Sequence, residues 1–307
     1  MTGRRIYPWL DRGGRLSALK LVVFLALFAP GAWTLLSYGH GSLGPRPLTE
    51  AIHQTGLWAI RFLMISLAIT PLRRMLQWPR LILIRRMVGV AAFGYATLHL
   101  ALYIVDQSFD LRLVASEIIL RFYLTIGFLA LMLLSALAAT STDGMIRRLG
   151  GRSWRRLHRS VYVIATLTLV HYFIQSKLAV AEPMVVAGLF AWLMADRALG
   201  WIWGESGRRP FWALVSLSVI TALLTATGEA AYYRLANGFD PWRVLAANVS
   251  SHFDRRPGWI VLAICLAVTA AGFFRSRYAS QSRQSRPAGR VKATEPAMIV
   301  REIQRQS

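Results

Sequence analysis

Residues 119–139 read ILRFYLTIGFLALMLLSALAA. Beyond Arg121 the stretch has no charge, and its apolar side chains follow one another without the alternation of a half-buried strand. About twenty residues, at ~1.5 Å each, match the ~30 Å hydrocarbon core of a bilayer. Lipid offers a backbone no hydrogen-bond partner, so a spanning segment is either a helix or part of a closed barrel. The stretch is roughly twice the length of a barrel strand. It reads as a transmembrane helix.

Working outward, similar runs lie near 17–37, 53–71, 87–105, 158–176, 183–203, 211–228 and 258–274. The run at 211–228 is broken by Ser and Thr, the others less so. The fold class that follows is all-α, a polytopic transmembrane helical bundle. Its expected divisions are a basic N-terminus at 1–16, a six-helix core at 17–203, two additional helices with their connecting loop at 204–274, and a disordered basic tail at 275–307.

Composition agrees. Of 307 residues, 55% are hydrophobic and 16% charged, against about 25% charged in a soluble domain. The abundance of aromatic and aliphatic residues excludes intrinsic disorder. Thirty-six Lys+Arg against 14 Asp+Glu leave a net charge of +22, which by itself also fits a nucleic-acid binder. The location of the charge decides. Arg4, Arg5, Arg12 and Arg15 precede the first run, and Arg73, Arg74, Arg80, Arg85 and Arg86 surround the second turn. Arg147, Arg148, Arg152, Arg155, Arg156 and Arg159 fill the fourth, Arg208 and Arg209 lie in the sixth, and the tail is basic. The intervening loops are neutral or acidic, as with Asp106, Asp110 and Glu117. The positive-inside rule then places both termini in the cytoplasm, with a bacterial inner membrane as the expected location and lipid, not nucleic acid, as the partner of the charge. The first run lacks a small-residue cleavage site and is expected to be retained.

Cys265 is the single cysteine and lies in an apolar run, so disulfides and Cys-rich metal sites are excluded. Histidines are the remaining redox-cofactor ligands. His99 lies toward the non-cytoplasmic end of the third run and His171 at the corresponding height of the fifth. Those two runs cross in the same direction. Imidazoles from facing helices can clamp a haem as axial ligands, and ionisable groups at membrane depth mark function.

His158 precedes His171 by 13 positions, ~20 Å along a continuous helix and about 140° around it. It either ligates a second haem nearer the cytoplasm or sits among interfacial arginines. The matching level of the third run offers Arg85 and Arg86, which suit a haem propionate or another anion rather than iron. His53 opens the second run as an interfacial polar residue or a neighbour of the haem edge. Arg61 lies mid-run, too deep to snorkel easily, and is expected to meet an anion inside the bundle. A haem propionate, a quinone oxygen or a flavin phosphate would serve.

Three stretches together resemble a known family. LTEAIHQTGLWAIRF at 48–62, continuing to AITPLRR at 68–74, is the most diagnostic; the others are 85–99 and WRRLHRSVY at 154–162, continuing to HYF at 171–173. Over roughly residues 10–203 the chain resembles the MsrQ family, also called YedZ, within the ferric-reductase-like transmembrane group. The resemblance implies haem b held by His99 and His171, with His158 as a further family position, and FMN as a second cofactor. It implies electron transfer to a soluble periplasmic molybdenum enzyme, MsrP, which reduces methionine sulfoxide in oxidised proteins. The quinone pool or a cytosolic flavin reductase would be the donor.

The chain would then be an electron-transfer subunit rather than the catalytic one. No Gly-rich dinucleotide motif is present, which argues against a built-in nicotinamide domain. Two other readings remain at this stage: a transmembrane ferric reductase or other cytochrome b-type oxidoreductase, and a haem-free transporter or scaffold. The last two runs and the tail lie outside the resemblance.

Overall fold

A computed structural model describes residues 7–10, 13–177, 179–204, 209–249 and 256–284. Twelve α-helices account for nearly all of the described chain: α1 (Ala18–Gly39), α2 (Pro47–Met75), α3 (Ile82–Asp106), α4 (Leu111–Leu120), α5 (Phe122–Ala139), α6 (Asp143–Leu149), α7 (Gly151–His158), α8 (Val161–Ser176), α9 (Ala181–Trp203), α10 (Phe211–Asn237), α11 (Pro241–Val249) and α12 (Pro257–Gln284). Among the described residues there is no strand, only one isolated bridge between Leu10 and Leu16. Eight helical segments are long and apolar enough to cross a bilayer, so the chain is a multi-pass membrane protein.

Helix boundaries follow local chemistry. The opening stretch is not one helix: Arg121 takes an extended conformation (φ −100°, ψ 103°), ending α4 and starting α5 at Phe122. The preceding acidic loop forms α4, whose N-cap Asp110 accepts from the backbone N–H groups of Arg112 and Leu113 at 3.0 Å. The arginine-rich turn at 140–159 folds as α6 and α7. Two turn residues, Arg159 and Ser160, both with dihedrals in the right-handed helical range, separate α7 from α8, so His158 and His171 lie on successive helices of one spanning segment. The loop after the seventh run is also largely helical, as α10 reaches Asn237 before Gly238 caps it in the left-handed conformation (φ 72°). His252, Asp254 and Arg255, together with 285–307 of the tail and 1–6 of the N-terminus, lie outside the described residues. Residues 275–284 continue α12.

α2 is the central helix. It packs against α1, α3, α8, α9 and α12, and buries Ile60, Phe62, Leu63, Leu67 and Ile69. Apolar contact alone does not drive helices together in lipid, so polar interlocks matter. One joins α3 to α1 beside Pro30: the Tyr95 hydroxyl donates to the Leu27 carbonyl (2.9 Å) and accepts from the Gly31 N–H (2.7 Å). It thereby bridges an i→i−4 pair next to Pro30. α10 and α12 pack on each other and on α9, and α12 also reaches α2.

Candidate functional site

A cavity of about 720 Å³ opens at the end of the bundle that carries the acidic loops. Its inner walls are Leu57, Ile60, Leu63, Ala96, Leu124, Ala130, Leu131 and Leu134; Glu50, Asp106, Glu117, Arg121 and Glu182 stand among its polar lining. His99 from α3 and His171 from α8 both line it, with ring centroids 6.3 Å apart and planes at 84°.

Both imidazoles are held in the same way. His99 Nδ1 lies 2.8 Å from the Ile52 carbonyl of α2, and His171 Nδ1 lies 2.8 Å from the Tyr123 carbonyl of α5. A carbonyl only accepts, so each ring carries its proton on Nδ1 and keeps the Nε2 lone pair for a ligand. Four residues after each carbonyl stands a glycine. A Cβ on Gly56 would lie 2.9 Å from His99 Nδ1, and one on Gly127 would lie 2.8 Å from His171 Nδ1. One helical turn thus supplies both the acceptor and the space for the ring.

This arrangement fits a haem. Two metal–imidazole bonds of ~2 Å, plus the nitrogen-to-centre distance of each ring, put an axial pair's centroids about 6 Å apart. Among the described residues no group of three or more His, Cys, Asp or Glu could hold a metal ion. Two imidazoles leave iron four positions short, and a macrocycle supplies those four itself. The apolar walls suit a porphyrin body, and the polar lining suits its carboxylates.

The other expected site residues lie elsewhere. Arg61 does not line the cavity. Its Nη2 is 3.2 Å from Glu182 Oε1, and its guanidinium carbon lies 5.0 Å from the Trp58 ring centre. The anion it meets is therefore a carboxylate of the protein, which also accepts from the Tyr172 hydroxyl at 2.8 Å. Arg86, at the opposite end of α3, donates to Asp143 Oδ1 (2.6 Å) and to the Ser141 carbonyl (3.1 Å). Arg85 interacts electrostatically with Tyr162, Arg197 and Arg73. His158 stacks on Trp154 with ring centres 3.9 Å apart, and its Nε2 meets Thr140 Oγ1 at 3.2 Å. His53 sits at the cavity mouth, 3.8 Å from Glu50.

Sequence reading missed the two glycines, although Gly127 stands inside the stretch that decided the fold. A glycine within a helix costs ~1 kcal/mol relative to alanine and signals a close approach. It also missed a brace at the mouth, where Glu117 accepts from the Tyr103 hydroxyl and pairs with Arg121 Nη2 at 2.5 Å. Arg121 reaches the Tyr123 hydroxyl at 3.3 Å, on the residue whose carbonyl holds His171. The Glu117–Arg121 pair has the i,i+4 spacing that a sequence can show, whereas the Tyr103–Glu117 contact joins α3 to α4 and has no local signature.

Fold and site together define a helical membrane protein with a paired-histidine cavity. A family profile described as "Ferric reductase like transmembrane component" matches residues 55–169, a span that includes His99 and His158 and ends just before His171. Curated relatives are more specific. The chain is 41% identical over 212 residues to the "Protein-methionine-sulfoxide reductase heme-binding subunit MsrQ" of Rhodospirillum rubrum, covering 68% of this chain and 100% of the relative. It is 41% identical to the protein of that name from Caulobacter vibrioides (61% of this chain, 87% of the relative) and 44% identical to one from Xanthomonas oryzae pv. oryzae (58% and 85%). No solved structure matches the chain. The chain belongs to the MsrQ family.

Proposed function

We propose that this chain is a haem b electron-transfer subunit, in which His99 and His171 would hold the haem, with MsrP, a periplasmic methionine sulfoxide reductase, as the acceptor. The observation that carries the reading is the matched pair of imidazoles across an apolar cavity, each with Nδ1 bonded to a carbonyl. When bound, the haem would supply one-electron chemistry. The chain's own residues hold and orient it, exclude water with apolar walls, and lower the polarity around it. The names of the curated relatives support haem binding and the sulfoxide reductase partnership.

Orientation follows from charge. The arginine-rich turns would face the cytoplasm and the cavity mouth the periplasm of an inner membrane, placing the haem edge where electrons leave. Donors would be the quinone pool or a cytosolic flavin reductase. FMN enters through family resemblance alone, and no residue is assigned to it. The six-helix core at 17–203 would be the haem module, with 204–274 as an addition to it.

The test is a reduced-minus-oxidised spectrum of the purified full-length chain, haem extraction for stoichiometry, and anaerobic mixing with purified MsrP. The expected result is one haem b per chain, reducible by a quinol and reoxidised by MsrP in the presence of methionine sulfoxide. A haem-free protein would overturn the reading in favour of a scaffold or transporter. Haem that reduces ferric iron but not MsrP would favour the metalloreductase reading.

A further inference from the structure

We propose that Glu117 is a positioning residue for the haem: with Tyr103 and Arg121 it fixes the start of α5, and through the Tyr123 carbonyl it holds the His171 imidazole perpendicular to that of His99. The inference rests on the haem reading above and adds to it a named residue that sets the relation between the two rings.

The two seats differ. Ile52, which accepts from His99, lies within the continuous helix α2, and Thr55 Oγ1 donates to the same carbonyl at 2.9 Å. Tyr123, which accepts from His171, is the second residue of α5, directly after the extended Arg121. Helix ends fray unless contacts from outside the helix tie them down. The seat of His171 therefore depends on what holds that end.

Glu117, in the last turn of α4, holds it with both oxygens of one carboxylate. Oε1 accepts from Arg121 Nη2 at 2.5 Å, and Oε2 accepts from the Tyr103 hydroxyl of α3. Arg121 Nη1 donates to the Tyr123 hydroxyl at 3.3 Å, and Thr125 Oγ1 donates back across the break to the Ile118 carbonyl at 2.6 Å. Tyr103 stands one helical turn beyond His99, and both line the cavity. A run of side chains thus passes along the cavity mouth from the helix of His99 to the seat of His171, with Glu117 as its central link.

The consequence is an angle. The two imidazole planes lie 84° apart, and each ring is oriented by its Nδ1 bond to a carbonyl. Perpendicular axial imidazoles leave two d orbitals of ferric iron nearly equal in energy and give a highly anisotropic low-spin EPR signal. Parallel planes split those orbitals and give a rhombic one. Arg121 is 52% exposed and its pair with Glu117 is an i,i+4 contact, which contributes little to global stability. Loss of the link should therefore disturb the seat and leave the fold in place.

The experiment uses the full-length chain purified in detergent with its haem, and records EPR of the ferric form and carbon monoxide binding by the ferrous form. The wild-type protein is expected to give the highly anisotropic signal and to exclude carbon monoxide. Glu117→Ala and Tyr103→Phe should keep the wild-type haem-to-protein ratio, move the EPR signal toward the rhombic type, and raise carbon monoxide binding roughly 10-fold or more. Glu117→Gln, whose amide can still meet both partners, should restore wild-type behaviour. Asp143→Asn, which breaks an exposed ion pair with Arg86, should match the wild type in both measurements. Tyr103→Phe removes a single hydroxyl and keeps the test decisive if Glu117→Ala does not fold. Wild-type EPR and carbon monoxide exclusion in both variants, or a rhombic signal in the wild type, overturns the inference and leaves haem binding intact. A haem-free wild-type protein overturns the haem reading and the inference with it.

Discussion

The two ends of this bundle both present histidine, and they hold it in different ways. At the 720 Å³ cavity, His99 and His171 each spend Nδ1 on a backbone carbonyl and sit where a glycine has left room. At the arginine-rich end, His158 lies flat on Trp154, and its Nε2 is the nitrogen engaged, by Thr140. Arg85 of α3 acts on it electrostatically. The difference lies in which ring nitrogen is engaged: Nδ1 in His99 and His171, which leaves Nε2 open toward the cavity, and Nε2 in His158. Arginines dominate the second end and make it suited to anions.

The sharpest break in that contrast is removal of a ligand. His99→Ala and His171→Ala should each reduce haem in the purified protein to background, read as loss of the Soret band; wild-type haem content in both variants would refute the pairing. Next in size is the seat. Gly127→Val and Gly56→Val place atoms inside the imidazole's space and should weaken haem retention by roughly 10- to 100-fold, measured by haem transfer to an acceptor protein. Gly94→Val serves as the control, because a Cβ there meets nothing within 4 Å. If all three variants hold haem equally, the glycines are incidental.

A smaller effect is expected at Arg61. Its pair with Glu182 is partly exposed, at 37% and 58% for the two side chains. Arg61→Gln should therefore cost about 0–1 kcal/mol of stability and leave the Soret spectrum in place; haem loss would show that Arg61 acts on the cofactor directly. The smallest effect is expected for His158→Ala, which should keep the haem-to-protein ratio. A halved ratio would put a second haem at the arginine-rich end and remove the contrast between the two ends.

Sequence alone determined the all-α membrane fold, because continuous apolar runs of bilayer length admit only helices. Charge asymmetry set the expected orientation, and the equal heights of His99 and His171 on parallel spans marked the pair. These are properties of one segment at a time, and they survive in a linear reading. What only the tertiary structure decided involves contacts between segments. The Ile52 and Tyr123 carbonyls reach rings 47 and 48 residues away. Glu182 lies 121 residues from Arg61 and takes the place the sequence had reserved for a cofactor's anion. Arg74 and Asp196, 122 residues apart, meet because α2 packs on α9. Periodicity reports which face of a helix is apolar, but the partner across that face depends on packing, and packing gave each histidine its hydrogen-bond partner.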